Sequence, residues 1–394
     1  MDFVVEGALL ALENGLEPGR VVVSGEHIAE VEVGEGERQV KPGLSVVDGR
    51  GRILAPGFID LHCHGGAGAD VNDGTAEAYA AAAAHHRRHG VTAWTPTLSV
   101  DPIPVLEAAF DLVRRSMKSQ KPGRPEALGA HFESPFINPL FKGCQAAERL
   151  LPWGREALAL VEANADAISR ITVAPELEGM LEAIPRLREM GIVVSGGHSD
   201  ADAETFRKAA DRGMTMATHL YNAMSSVRKE GPFRVCGVLE AALTDDRIFA
   251  ELIADGRHVP SELLKIAHRC KGKNRFLVCS DASRAAGFSG AETLYICGQE
   301  AMVVDGVAML KDRSSLASSV TSLDGMVRTL AREAGLSVHE ALLAASAVPA
   351  AAIGVADRKG RIRPGYDADL VLLDADLEVI SVWCRGTGGK IDVA

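Results

Sequence analysis

The chain has seven cysteines in 394 residues and no CxxC pair. Cys63, Cys144, Cys236, Cys270, Cys279, Cys297 and Cys384 are scattered and odd in number. That excludes a disulfide framework and a cysteine zinc site, and fits a reducing, cytoplasmic setting. Long apolar runs are also missing. The N-terminal MDFVVEGALLALENG is short and interrupted, with Asp2 and Glu6 where a signal peptide would be basic. Neither a signal peptide nor a transmembrane helix is expected. Repeats of solenoid period, low-complexity tracts and long charge runs are absent. Positive charge is the scarcer sign, with 42 Lys and Arg against 53 Asp and Glu and a net charge of −11. This argues against nucleic acid or an anionic membrane as partner, and means that an anionic substrate is drawn in by local groups.

What remains is ordinary for a globular protein, with 47% apolar and 24% charged residues. The length suits one large domain plus a smaller one. Both ends are β-rich. VVVSGEHIAEVEV alternates apolar and polar residues near the start, and DADLVLLDADLEVISVWCRG has strand character near the end. The two ends are expected to pair into a small β-sandwich, residues 1–54 with 358–394. Residues 55–357 alternate short apolar runs with amphipathic stretches. The runs are FIDLHCH (58–64), VTAWTPT (91–97), ALGAHFES (127–134), ITVAPE (171–176), IVVSGGH (192–198), MTMATHL (214–220), FAELIAD (249–255) and FLVCSDA (276–282). Eight strands alternating with helices predict an α/β fold, a (β/α)8 TIM barrel. An open doubly wound sheet is the alternative, weakened by the lack of a glycine-rich phosphate fingerprint after the first strand.

Chemistry in such a barrel sits at the C-terminal ends of its strands. The first run ends in His62 and His64, the third in Glu133, the fifth in His198 and the sixth in His219. Asp255 and His258 follow the seventh, and the eighth ends in Asp281. Residues i and i+2 of a strand share a face, so His62 and His64 can hold one ion between them. Singly, each residue has a bland explanation: a satisfied core histidine, a strand-end ion pair, a turn cap. Together, at the same end of successive strands, they point to a divalent metal site with a position open for water. Asp281 stands where a general acid/base would. His85, His86 and His89 are expected on a solvated helix face, and His131 either beside the site or in the core.

These motifs resemble a known family. PGFIDLHCHGG, HFESPF, GHSDADAETFRKAADRGMTMATHLYNAM, DGRHV and PGYDADLVLLD are similar to segments of the amidohydrolase superfamily, and within it of the N-acetylglucosamine-6-phosphate deacetylases. The resemblance runs from about residue 20 to 375. It implies a cytoplasmic, metal-dependent hydrolase that removes the acetyl group of a phosphorylated amino sugar, N-acetyl-D-glucosamine 6-phosphate. It implies zinc, iron(II) or another divalent ion, one or two per subunit, and a homodimer. Carried over by position, Glu133, His198 and His219 match the metal ligands and Asp281 the catalytic acid/base. His258 matches a substrate-contacting histidine. Cys144, Gln145, Asn222, Ala223 and Leu316, Ala317, Ser318 match substrate-contact segments. His62 and His64 make a second ion bridged by Glu133 plausible. ITVAPE lacks the lysine that dihydroorotases and hydantoinases need.

Departures gather around the substrate. Ser134 replaces the usual glycine, and SSVRKEGPFR replaces the usual arginine segment. Arg228, with Arg234 as the fallback, is taken to grip the phosphate. The galacto epimer, or another N-acyl compound, is the nearest alternative substrate. A non-catalytic scaffold is the remote one.

Overall fold

Eight parallel strands close into a barrel, each followed by a helix, in a computed structural model that describes residues 2–34, 36, 43–133, 135–288 and 293–391. The strands are β1 (Phe58–Cys63), β2 (Val91–Leu98), β3 (Ala130–Phe132), β4 (Ile168–Val173), β5 (Val193–Gly196), β6 (Met216–Ala217), β7 (Phe249–Ile253) and β8 (Phe276–Cys279). Each pairs in parallel with the next. Closure runs through a Cys63–Ala282 bridge, and the Asp281 N–H donates to the His62 carbonyl at 2.8 Å. β1, β2 and β7 are buried at every residue, as strands covered on both faces must be, which is why they read as near-continuous apolar runs. An apolar plug of Ile59, Leu61, Ala93, Val193, Met216, Phe249 and Leu277 packs with Val348, Ala350 and Ala352 of helix Ala347–Ile353.

The strands stop two to three residues short of several sequence-expected ends, as at His198, His219 and Asp281. Those three residues have φ of 49°, 31° and 45°, in the left-handed region that breaks a ladder. The side chains of interest therefore hang from turns just past the strands. Gly197 permits the turn before His198, since a Cβ there would lie 2.8 Å from the Thr218 Cβ.

The termini do pair. Ile53–Pro56 lies between Phe3–Ala11 and Leu370–Leu373, the latter antiparallel, in an eight-stranded sheet that also holds Leu16–Ser24, His27–Val33, Ser45–Asp48, Val379–Cys384 and Thr387–Lys390. Phe3, Val5, Leu10, Ile28, Leu370 and Trp383 form its separate core.

A buried ion cluster ties this sheet to the barrel. Lys359 Nζ lies 2.7 Å from Glu126, 2.9 Å from Asp367 and 2.5 Å from Asp369, and Arg358 bonds Glu126 and Asp367. Burial opposes ionisation of Glu126, but Arg358 and Lys359 outweigh it and hold its carboxyl at about 2 against the ordinary 4.5. Its folded value is the lower one. Its contribution to stability is therefore full above pH 4.5 and is lost as pH falls toward 2. Replacing Lys359 with Met leaves buried carboxylates short of a cation and is expected to cost about 3–5 kcal/mol in urea denaturation.

One insertion was not foreseen as structure. After β8 the chain builds a four-stranded antiparallel sheet, Leu294–Ile296, Gln299–Val304, Val307–Leu310 and Leu316–Ser319. The helix Ala76–Arg88 also differs from expectation, because His85 and His86 are buried and not solvated. His86 packs beside Trp94, with Nε2 3.0 Å from the Gly65 carbonyl.

Candidate metal centre and active site

Glu133, one residue past β3, is the hub of the barrel mouth. Its Oε1 lies 3.1 Å from His198 Nε2, 3.2 Å from His219 Nε2 and 3.3 Å from His62 Nε2, and its Oε2 lies 3.3 Å from His64 Nε2. His62 and His64 meet at 3.3 Å and His198 and His219 at 3.0 Å, each pair through Nε2. Asp281 Oδ1 is 3.4 Å from both His62 and His64. Two donor sets result, Glu133 with His198 and His219, and Glu133 with His62 and His64.

The hydrogen bonds behind these rings test whether a cation fits. His198 Nδ1 donates to the Phe141 carbonyl at 2.7 Å, and His62 Nδ1 to Glu251 Oε1 at 3.2 Å. In the neutral tautomers this fixes, both Nε2 atoms carry lone pairs aimed at other acceptors. Acceptors 3.0–3.4 Å apart with no proton between them suit a divalent ion. The surrounding carboxylates draw positive charge to this spot, which a proton takes when no ion is bound and an ion would take in its place. Burial opposes charging His62, yet the Glu133 and Asp281 carboxylates raise its pKa to about 10. Burial likewise works against ionised Asp281, and His62 and His64 overcome it, so the carboxyl sits below its ordinary value.

Asp281 is gripped through its backbone on both sides. Its N–H donates to His62, and its carbonyl accepts the Ser319 N–H at 3.0 Å. Asp255 Oδ2 takes His258 Nδ1 at 2.7 Å, which fixes that imidazole's orientation. A cavity of about 190 Å³ opens above the site. His64, Glu133, Cys144, Gln145, His198, His219, Asn222, Ala223, His258, Asp281, Leu316 and Ala317 all line it. Three expected residues do not. His62 lies beneath the cavity floor, fully buried. Ser318 is buried and bonds Ser283 Oγ at 2.6 Å. Arg228 sits on the exposed hairpin Arg228–Glu230/Phe233–Val235, paired with Glu230 at 3.0 Å, and Arg234 on the facing strand is likewise exposed. Gln145 has a further task, since its Nε2 donates to Glu133 Oε2 at 2.9 Å. Ser134 lies outside the described residues.

The sequence reading missed a buried polar network beneath the rings. Arg170 on β4 bonds Glu251, Ser195 Oγ, Thr218 Oγ1 and the Leu61 carbonyl. His131 belongs to the same layer, bonding Thr172 and Thr97, with its ring perpendicular to that of His62 and the two centroids 4.5 Å apart. A charged residue inside an apolar strand run, as in RITV and FAELI, was the available signal.

The amidohydrolase family model matches residues 53–388. The N-acetylgalactosamine-6-phosphate deacetylase of Escherichia coli O157:H7 is 34% identical over 345 residues, covering 87% of this chain and 89% of that one. The N-acetylglucosamine-6-phosphate deacetylase of Bos taurus is 37% identical over 350 residues, covering 85% and 83%. The crystal structure of N-acetylglucosamine-6-phosphate deacetylase from Pasteurella multocida superposes with a TM-score of 0.92 at 28% identity, covering 99% of this chain and 100% of that one. Sequence, barrel and donor set agree, and the chain belongs to the amidohydrolase family, hydrolases of carbon–nitrogen bonds.

Proposed function

We propose that this enzyme removes the acetyl group of N-acetyl-D-glucosamine 6-phosphate, yielding D-glucosamine 6-phosphate and acetate. The observation that carries the reading is the carboxylate of Asp281 set against the Glu133–His198–His219 donor set in a cavity walled by Asn222, Ala223 and His258. Deacetylases of both hexosamine 6-phosphates among the relatives support it. A divalent ion on Glu133, His198 and His219, zinc or iron(II), supplies Lewis acidity. His62 and His64 could hold a second.

The residues do the rest. Asp281, ionised at neutral pH, accepts the proton of the attacking water. It then returns that proton to the departing nitrogen, because an amine leaves poorly unprotonated. His258, held by Asp255, orients the acetamide and meets the charge growing on its oxygen. The division into 1–54 with 358–394 and 55–357 places this chemistry in the larger unit. We further propose a cytoplasmic homodimer. Phe233, 73% exposed, and Val227, 52% exposed, put two apolar side chains among the exposed charges of the Arg228 hairpin and its approach. A second copy there would give Arg228 or Arg234 a route to the phosphate.

Release of free amine from N-acetylglucosamine 6-phosphate, its galacto epimer and unphosphorylated N-acetylglucosamine tests this. The gluco 6-phosphate is expected to turn over fastest and the unphosphorylated sugar at least about tenfold more slowly, the loss of one charge-assisted contact. Preference for the epimer overturns the substrate, and equal turnover without phosphate overturns the arginine grip.

A further inference from the structure

Cys144 lines the cavity, and a second thiol, Cys297, stands directly behind it. Cys144 Sγ lies 3.3 Å from Cys297 Sγ and 3.2 Å from the Ala317 carbonyl. The two cysteines come from different parts of the fold. Cys144 is on the loop that supports the donor set, where Phe141 holds His198 and Gln145 holds Glu133. Cys297, with Gly298, forms the two-residue turn that starts the inserted sheet, between Leu294–Ile296 and Gln299–Val304. Both turn residues have positive φ, 50° and 78°, the geometry of a type I′ hairpin that favours Asn or Gly. A cysteine at the first of these positions goes against local preference. Gln299 adds to the junction, its amide donating to the Cys144 and Gln145 carbonyls.

We propose that Cys144 and Cys297 form a reversible disulfide that closes the active site under oxidation. The proposal rests on the deacetylase reading of the cavity. Bonded sulfurs stand about 2.05 Å apart, so the pair has little over an ångström to travel. Hydrogen peroxide fits where water fits and reaches Cys144 from the cavity. The Cys144 sulfur attacks one peroxide oxygen, the O–O bond breaks, and the other oxygen leaves as water with the proton the thiol gave up, so that Cys144 becomes a sulfenic acid. The Cys297 sulfur then attacks the Cys144 sulfur and expels the oxygen as a second water, with the thiol proton. Two thiols lose two electrons and one peroxide is reduced to two waters.

The functional consequence follows from the size of the cavity. Its 190 Å³ is below the roughly 300–1,000 Å³ usual for small-molecule sites. The loop carrying Cys144 and the strand carrying Leu316 and Ala317 must part to admit a hexosamine phosphate. A bridge between the loop and the sheet holds them together. The bridge leaves the donor set intact, so metal content is unchanged.

The test treats metal-loaded enzyme with peroxide, maps cysteine peptides by mass and follows amine release. The linked 144–297 peptide is expected, with kcat/KM down at least about tenfold, the mark of a closed entry, and recovery on adding dithiothreitol. Cys297→Ser is expected to keep its turnover under the same treatment. It retains the exposed Cys236 and Cys270 as internal controls. No linked peptide, a linked enzyme of full activity, or equal loss in Cys297→Ser each overturns the proposal. Peptide mass reads the bridge without turnover. A reduced enzyme that releases no amine therefore defeats the deacetylase reading separately.

Discussion

Asp281→Asn is expected to lower kcat by about 10²- to 10⁴-fold, the range for loss of a positioned proton carrier, with metal content and folding unchanged. The substitution keeps the shape of the side chain and one oxygen. It also keeps the backbone anchors, which come from His62 and Ser319 and do not involve the carboxylate. What it removes is the capacity to hold a proton. In the folded protein that capacity is set at the right place. The carboxyl lies below its usual range because two imidazoles 3.4 Å away outweigh burial, so Asp281 starts as a base. Taking the proton of water turns it into the acid that the leaving amine needs. KM should move little, because the amide still fills the space. Metal analysis by mass spectrometry, run with the kinetics, separates the roles. Loss of ion together with turnover would make Asp281 a holder of the ion, and retained turnover would remove it from the reaction.

The sequence carried much of this site because its signal is local. A polar residue closing an apolar run is visible at His64, Glu133, His198, His219 and Asp281 without knowledge of the partner strands. The alternation of eight such runs with helices gave the barrel for the same reason. Strand ends were less legible. A run such as IVVSGGH looks continuous through His198, and only the backbone shows that the ladder stops at Gly196 and the histidine sits at positive φ.

Long-range features left weaker traces. Arg228 stands in the segment after NAM where the resemblance implies a phosphate-gripping arginine. The structure puts it on an exposed antiparallel hairpin, paired with Glu230 and away from the cavity. His85 and His86 read as solvated beside Arg87 and Arg88. The helix rolls His86 onto Gly65 and Trp94, and His85 against Gly66 and Gly287, which sequence spacing cannot place. The pairing of the two chain ends was legible as composition, while its register, Leu370 against Pro56, was not.

Glu251 is the strongest case of a residue hidden in an apolar run, and its replacement by Gln is expected to act twice. It is fully buried on β7, accepts His62 Nδ1 and is ion-paired with Arg170. Burial opposes its ionisation, and Arg170 and His62 reverse that, so the carboxylate is charged throughout the physiological range. Without that charge Arg170 is stranded in the barrel, at a cost of about 3–5 kcal/mol. Gln keeps a single oxygen for which His62 and Arg170 must compete, so the bond that fixes the His62 tautomer weakens, and metal affinity should fall, by up to the roughly 10–100-fold of a lost partner. Chelator competition and denaturation read the two effects independently. The double change Arg170→Met with Glu251→Leu separates them. It removes both charges, so much of the stability should return, since apolar groups of similar volume commonly replace a buried pair without loss. His62 now has no acceptor at all, so metal binding should stay weak or weaken further. Recovery of metal affinity along with stability would mean that Glu251 serves the barrel alone and that His62 needs no partner to present Nε2.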